Sequence, residues 1–291
     1  MENINGIILI DKPYDWTSMD VCSKLRGILH ERRIGHSGTL DPMATGLLVV
    51  FVGKATKAVE FAEADKKRYK AGIVLGISTD TQDTTGQLLE KKEHSVTQEQ
   101  FDAALEHFRG EIDQVPPMYS AIKIDGQRLY KMARAGKEIE RPARRITIHS
   151  LQRISPLENS ETMLDVCCSK GTYIRALCAD IGDKLSCGAA MSYLRRTEAG
   201  AFSVNDAHTL EELAAIAAED RLDEIILPVH SLFSAMDKFV CAPWQERKVR
   251  NGCAFEADCP EGDYTVFSQA GDFLMLGRCE NGEMRSVKNF F

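Results

Sequence analysis

The hydrophobic residues of this chain fall into short unbroken runs separated by amphipathic stretches. Gly6–Ile10 (GIILI) and Leu47–Val52 (LLVVFV) are continuous apolar runs, the pattern of strands buried on both faces. Between them Met19, Val21, Cys22, Leu25, Ile28 and Leu29 recur at helical spacing. Thr17 with Asp20 three residues later is a capping-box start, so the spacing predicts a helix ending near Leu29. A short helix over Ala55–Ala64, a strand over Lys66–Ile77 and a polar loop over Ser78–Gly86 follow. Thr97 with Gln100 opens a helix that ends at Gly110. Pro116 and Pro117 stop regular structure, and Ser120–Ile124 with a turn at Asp125–Gly126 reads as a hairpin. Thr162–Ser169 is a strand, Thr172–Leu185 a helix and Ala189–Leu194 another apolar strand. Past Leu227 and Pro228 the pattern changes to short strands and turns, which predicts a small β-rich domain over 237–291 packed on the main body.

Composition narrows the class. The 291 residues are 44% apolar, enough for a large domain and a small one. The formal net charge of −7 argues against a general polycation. Charge is segregated, however. Tyr119–Arg153 carries nine Lys or Arg against three acids, whereas Asn205–Glu224 carries seven acids against Arg221. A basic stretch inside an acidic chain is the footprint of a phosphate-binding face, the alternative being a solvated helix face. No apolar run reaches the ~18 residues of a membrane span, and the start, MENINGIILIDKP, has no signal-like core. The nine cysteines are scattered, without a CxxC, and the last four lack zinc-site spacing. They read as reduced, buried hydrophobes. The expectation is a cytoplasmic protein with no membrane association and no metal.

Candidate chemistry concentrates in Gly35–Leu48, GHSGTLDPMATGLL, with Asp41 as its one carboxylate. An isolated Asp-Pro commonly punctuates a turn. An ionisable group at the mouth of a buried strand points instead to chemistry. Tyr69 is flanked by Lys67, Arg68 and Lys70. It is either a cross-strand packing residue or a stacking platform for a base. Arg175 lies in the first turn of a predicted helix, where the dipole favours anions. A cation there suggests a specific acidic partner, a carboxylate or a phosphate. Asp80 and Asp83 read as loop caps. Arg26, Arg32 and Arg33 are either solvated surface or a cationic rim beside the Asp41 stretch.

The same stretch, together with DKPYDWTS (Asp11–Ser18), KKRYKAGIVLGISTDTQDTTG (Lys66–Gly86), VPPMYSAIKIDGQRLYKMARAG (Val115–Gly136) and CSKGTYIRAL (Cys168–Leu177), resembles the TruB family of bacterial tRNA pseudouridine 55 synthases. The motifs run in family order from about Asn5 to Arg196, and GDFLMLG (Gly271–Gly277) is a weaker likeness to a PUA-type domain. The resemblance implies an α+β pseudouridine synthase fold, with a mixed, mainly antiparallel sheet and flanking helices over 1–236 and a small PUA-like RNA-binding domain over 237–291. It implies an isomerase that flips uridine 55 out of the TΨC loop of tRNA, as a monomer, without guide RNA or cofactor. By the same resemblance Asp41 is the nucleophile and Arg175 the cation that keeps it ionised. Tyr69 stacks on the target base, with its hydroxyl a candidate for assisting proton removal. His36 fills or braces the vacated stack, Tyr173 and Leu194 line the base pocket, and Lys12 supports the catalytic loop. The competing readings are a non-catalytic RNA-binding protein on this scaffold and a guide-RNA-dependent synthase. The joint presence of Asp41, Tyr69 and Arg175 favours the enzyme. One departure stands out: Asp15 occupies a position where the family usually has Gly, which predicts a turn built differently.

Overall fold

A computed structural model describes residues 4–62, 66–120, 122–124, 126–137 and 139–291. Among these, a nine-stranded sheet forms the main body. Its strands run Gly6–Lys12, Thr45–Val52, Ala189–Ala199, Lys66–Leu75, Glu161–Ser169, Arg144–Arg153 and Gly110–Gln114, with Ile34–Ser37 and Phe202–Ser203 paired off that path. Every pairing is antiparallel except a short parallel contact that sets Thr45–Gly46 against Arg195–Arg196. That contact brings two backbones unusually close. A Cβ on Gly46 would stand 2.3 Å from the Arg196 carbonyl oxygen, and Gly46 has a φ of +95°, so only glycine fits.

The unbroken apolar runs are explained by burial on both faces. Ile8, Ile10, Leu48 and Val50 pack on Val21, Cys22, Leu25 and Leu29 of the Ser18–Leu29 helix. The alternate residues Ile7, Leu9, Leu47, Val49 and Phe51 share a second core with Val229, Phe233, Leu276 and Phe290. This second core joins the main body to a five-stranded sheet of Asp237–Val240, Gly262–Phe267, Phe273–Glu280, Glu283–Asn289 and Phe255–Glu256. A third core lies between the Lys66–Leu75 strand and the Ile174–Lys184 helix. No helix among the described residues is long and apolar enough to cross a membrane.

The Thr17–Asp20 capping box forms as the spacing requires, and the helix ends at Leu29. Met19 departs from its predicted face and is 53% exposed. The Ala55–Ala64 element is a 3-10 helix over Gly53–Phe61, and its predicted end at Ala64 lies outside the described residues. Gly76, at φ +82°, divides the predicted Lys66–Ile77 strand into Lys66–Leu75 and Ile77–Thr79. The hairpin is Lys123–Ile124 with Gln127–Arg128; Asp125 of its predicted turn lies outside the described residues. The Arg144–Arg153 and Gly110–Gln114 strands, and a Pro243–Arg250 helix, have no counterpart in the sequence-based prediction. In the first of these, Ile146, Ile148 and Leu151 face the core, and a bulge between Ile148 and Ser150 breaks the alternation.

The turn at Asp15 is a correction. It keeps the backbone a glycine would supply, because Asp15 itself sits in the left-handed region at φ 62°. Asp tolerates this better than most residues, but not freely. Asp15→Gly is expected to raise the unfolding free energy in urea by up to about 1 kcal/mol. A loss instead would mean that the attraction of Asp15 for Lys12 outweighs the backbone relief.

Candidate active site

The loop over residues 38–44 leaves the sheet at Ser37 and re-enters it at Thr45. Within it the Ala44 amide donates to the Asp41 carbonyl at 3.0 Å, closing a turn with Pro42 as its second residue. The turn reading of Asp-Pro is therefore correct for the backbone. The side chain is left for another partner: Asp41 Oδ2 stands 2.9 Å from Nε of Arg175.

Three sets of bonds from the segment Lys12–Ser18 hold this loop. Lys12 is wholly buried, and its Nζ donates to the carbonyls of Pro13, Trp16 and Pro42 at 2.9, 2.6 and 3.2 Å. The Asp15 amide also donates to Pro42 O, at 2.9 Å. Ser18 Oγ donates to Leu40 O at 3.2 Å and accepts from Leu40 N at 3.0 Å. Both residues flanking Asp41 are thus bonded to the segment Lys12–Ser18. Lys12 acts here as a carbonyl clasp, and burial pushes its ammonium down to about 8 while Asp41 and Asp15 oppose that.

Arg175 is 5% exposed and reaches the loop from the start of its helix. Its Nη1 donates to Thr81 O at 2.9 Å and its Nη2 to Tyr119 O at 2.8 Å, so Nε faces Asp41 with the guanidinium fixed. Asp83 Oδ2 lies 3.7 Å from Nη1. As read from the sequence, Asp83 is a loop cap: it accepts from Thr81 Oγ1 at 2.8 Å and from Thr85 N and Oγ1 at 3.0 and 2.6 Å. Gln114, 2% exposed, accepts from Tyr173 N at 2.8 Å and donates to Tyr173 O at 3.1 Å, which secures the helix start behind Arg175.

Burial raises Asp41 above the usual carboxylate range; Arg175 opposes this, and Asp83 adds to it. A side of Asp41 still meets solvent, its side chain being 39% accessible. Tyr69 is 7% exposed and shares an apolar cluster with Leu194 and the loop residues Leu40, Met43 and Ala44. Burial raises its phenol and that of Tyr173, and Asp41 contributes to both. Asp41, Arg175, Tyr69, Tyr173, Leu194 and Lys12 are therefore gathered around one loop. His36 stands at its edge, opposite Val50 in the short Ile34–Ser37 strand. Among the described residues its buried Nδ1 has no hydrogen-bond partner, and burial, with Arg196, lowers its imidazole, which favours the neutral ring. It faces an open cleft of about 560 Å³ lined also by Gly38, Thr39, Lys57 and Lys288.

Some of the basic stretch is spent within the protein. Arg153 bonds both oxygens of Asp102, at 2.9 and 2.8 Å, and Arg145 Nε meets Asp113 at 2.9 Å. Sequence reasoning missed the structural roles of Gln114 and Arg196. Arg196 was legible: it follows Leu194 by two along the strand, so the same alternation turns it inward. Gln114 ends an exposed strand, and no signal in its sequence marks it.

Residues 26–174 match the family model for the TruB family pseudouridylate synthase N-terminal domain, and residues 175–234 match that for the tRNA pseudouridylate synthase B C-terminal domain. The chain is 41% identical over 282 residues to tRNA pseudouridine synthase B of Bacillus pumilus, covering 95% of this chain and 91% of that one. It is 44% identical over 245 residues to the protein of that name from Lactococcus lactis, covering 81% and 74% respectively. A crystal structure of a Cbf5-Nop10-Gar1 complex contains a chain of similar fold, with a TM-score of 0.75 at 25% identity, over 98% of this chain and 85% of that one.

Proposed function

We propose that this chain, which belongs to the TruB family of pseudouridylate synthases, converts uridine 55 in the TΨC loop of tRNA to pseudouridine. Membership makes it an isomerase acting on tRNA. The reaction breaks the bond from N1 to the ribose, turns the base and rejoins it through carbon 5; the carbon 5 proton leaves and N1 gains one. A carboxylate nucleophile supports such a step by covalent catalysis. Asp41 is that nucleophile, and it must be ionised to act. Arg175 favours the ionised form and fixes its direction, against the pull of burial.

The target base lies inside a folded loop and has to be turned out, at a cost of a few kcal/mol. Tyr69, Tyr173 and Leu194 receive it, Tyr69 by stacking on its face. His36 fills the vacated place in the RNA stack. A neutral ring suits that role, because it enters a stack without a charge to desolvate. Lys12 keeps the Asp41 loop in place. The enzyme works on tRNA directly, as a cytoplasmic monomer, without a guide RNA. The 237–291 segment is a second, PUA-like unit that adds RNA contacts.

The observation that carries this reading is the Asp41–Arg175 contact at 2.9 Å on a carboxylate that still reaches solvent. A protein that only binds RNA gains nothing from a carboxylate held toward its polyanionic ligand. The test is purified protein with an unmodified tRNA transcript and no other RNA, scored for pseudouridine at position 55, with a transcript carrying cytidine there as control. Conversion at position 55 is expected. Product only after addition of a guide RNA would favour the guide-dependent reading, and no product under either condition would reject both.

A further inference from the structure

Arg196 is 1% exposed, among the largest fully buried side chains of the chain. Its backbone pairs with Gly46 on one side and Tyr69 on the other. Its Nε donates to Leu47 O at 2.7 Å and its Nη2 to Gly38 O at 2.9 Å. One side chain therefore closes the neck of the loop that carries Asp41, at the sheet position opposite Tyr69. These bonded partners are carbonyls and not carboxylates. Burying a guanidinium without an opposite charge costs several kcal/mol. A neutral amide could bond two carbonyls with less penalty, so the charge itself requires a reason.

We propose that Arg196 is a positioning residue for Tyr69: its guanidinium clasps the Asp41 loop and holds the Tyr69 oxygen in place to accept the proton that leaves carbon 5 of the base, the phenol having first released its own proton to solvent. The inference rests on the reaction given under Proposed function and adds to the stacking of Tyr69 a role for its hydroxyl in taking the carbon 5 proton. Three groups act on the Tyr69 hydroxyl from the elements around it. Burial raises the phenol; Arg196, from the neighbouring strand, is the main influence against burial; Cys168, from the strand on the other side, and Asp41, from the loop, add to the rise. The same cation helps lower His36, after burial, so its field extends across the site. Of the basic residues flanking Tyr69, Arg68 and Lys70 alternate to the opposite face, where Arg68 pairs with Asp165 at 2.9 Å, whereas Lys67 shares the face of Tyr69 and brings its ammonium close to Gly38, beside Arg196 Nη1.

The test is a double-mutant cycle of Arg196→Lys and Tyr69→Phe on unmodified tRNA. Arg196→Lys, which keeps the cation but not its fork, is expected to lower kcat by about tenfold or more with KM changed by less than about twofold, the usual scale for misplacing an acid–base group. In the Tyr69→Phe background the same substitution is expected to cost no more than about twofold. Equal losses in both backgrounds, or no loss in either, would overturn the inference, leaving Arg196 as a loop clasp alone. A second readout needs no RNA. The phenol absorbance titration that Tyr69→Phe removes is expected to move to higher pH in Arg196→Met, and an unmoved titration overturns the inference whether or not the reaction is as proposed. If Arg196→Met does not fold, as judged by its thermal melt, Arg196→Lys serves for that titration, with a smaller move in the same direction expected.

Discussion

Asp41→Asn is expected to slow pseudouridine formation by about 10⁴-fold or more, the scale seen when a nucleophile is removed. Asparagine has the shape of aspartate and can still accept a hydrogen bond from Arg175, so the loop and the tRNA affinity are expected to persist. The side chain loses its negative charge, and with it the ability to attack. Single-turnover rates and tRNA binding measured on the same preparation check this. A native rate would exclude Asp41 as the nucleophile; lost binding with an intact single-turnover rate would make it a binding residue. In the unsubstituted enzyme the pH dependence carries a sign. Burial raises Asp41, so the active ionised form is lost as pH falls, and the acid limb is expected to lie above the ordinary range for a carboxylate near 4.

Arg175→Ala is expected to cost about 10²–10³-fold in kcat/KM, through Asp41 and not through RNA contact. Without the guanidinium the carboxyl has lost the main opposition to its desolvation. Its proton is then held more tightly, and the acid limb is expected to move to higher pH. Arg175→Lys is expected to recover part of the rate at most. A lysine carries the charge, but it cannot face Asp41 while also bonding Thr81 O and Tyr119 O in the planes the guanidinium uses. A fall in rate with an unmoved acid limb would show that Arg175 does not act on Asp41 ionisation.

Much of this site is visible in the chain before any coordinates. The cation at the wrong end of a helix asks for an acidic partner, and Asp41 is that partner. The capping box at Thr17 and Asp20 defines the helix packed under the catalytic loop. Family resemblance, and not spacing, suggests the roles proposed for His36, Tyr173 and Leu194. The strand at Arg144–Arg153 was hidden because arginines stand at both its ends and a bulge between Ile148 and Ser150 breaks its alternation. Only contact with its neighbours shows that Ile146 and Ile148 belong to the core and that Arg153 is held by Asp102. Gln114 was hidden for a different reason: an amide that bonds another segment's backbone leaves no pattern in its own segment.

The sequence by itself determined the periodic elements, the segregation of charge and the one carboxylate set among glycines and a proline. Those features depend on neighbours within a few residues, and local periodicity reports them. The tertiary structure decided which charges meet. It set Arg175 against Asp41 from a helix more than a hundred residues away, buried Lys12 and Arg196 as clasps on backbone carbonyls, and kept a left-handed turn at Asp15. Desolvation and ion pairing depend on which segments the sheet brings side by side, and that order is a property of the folded chain.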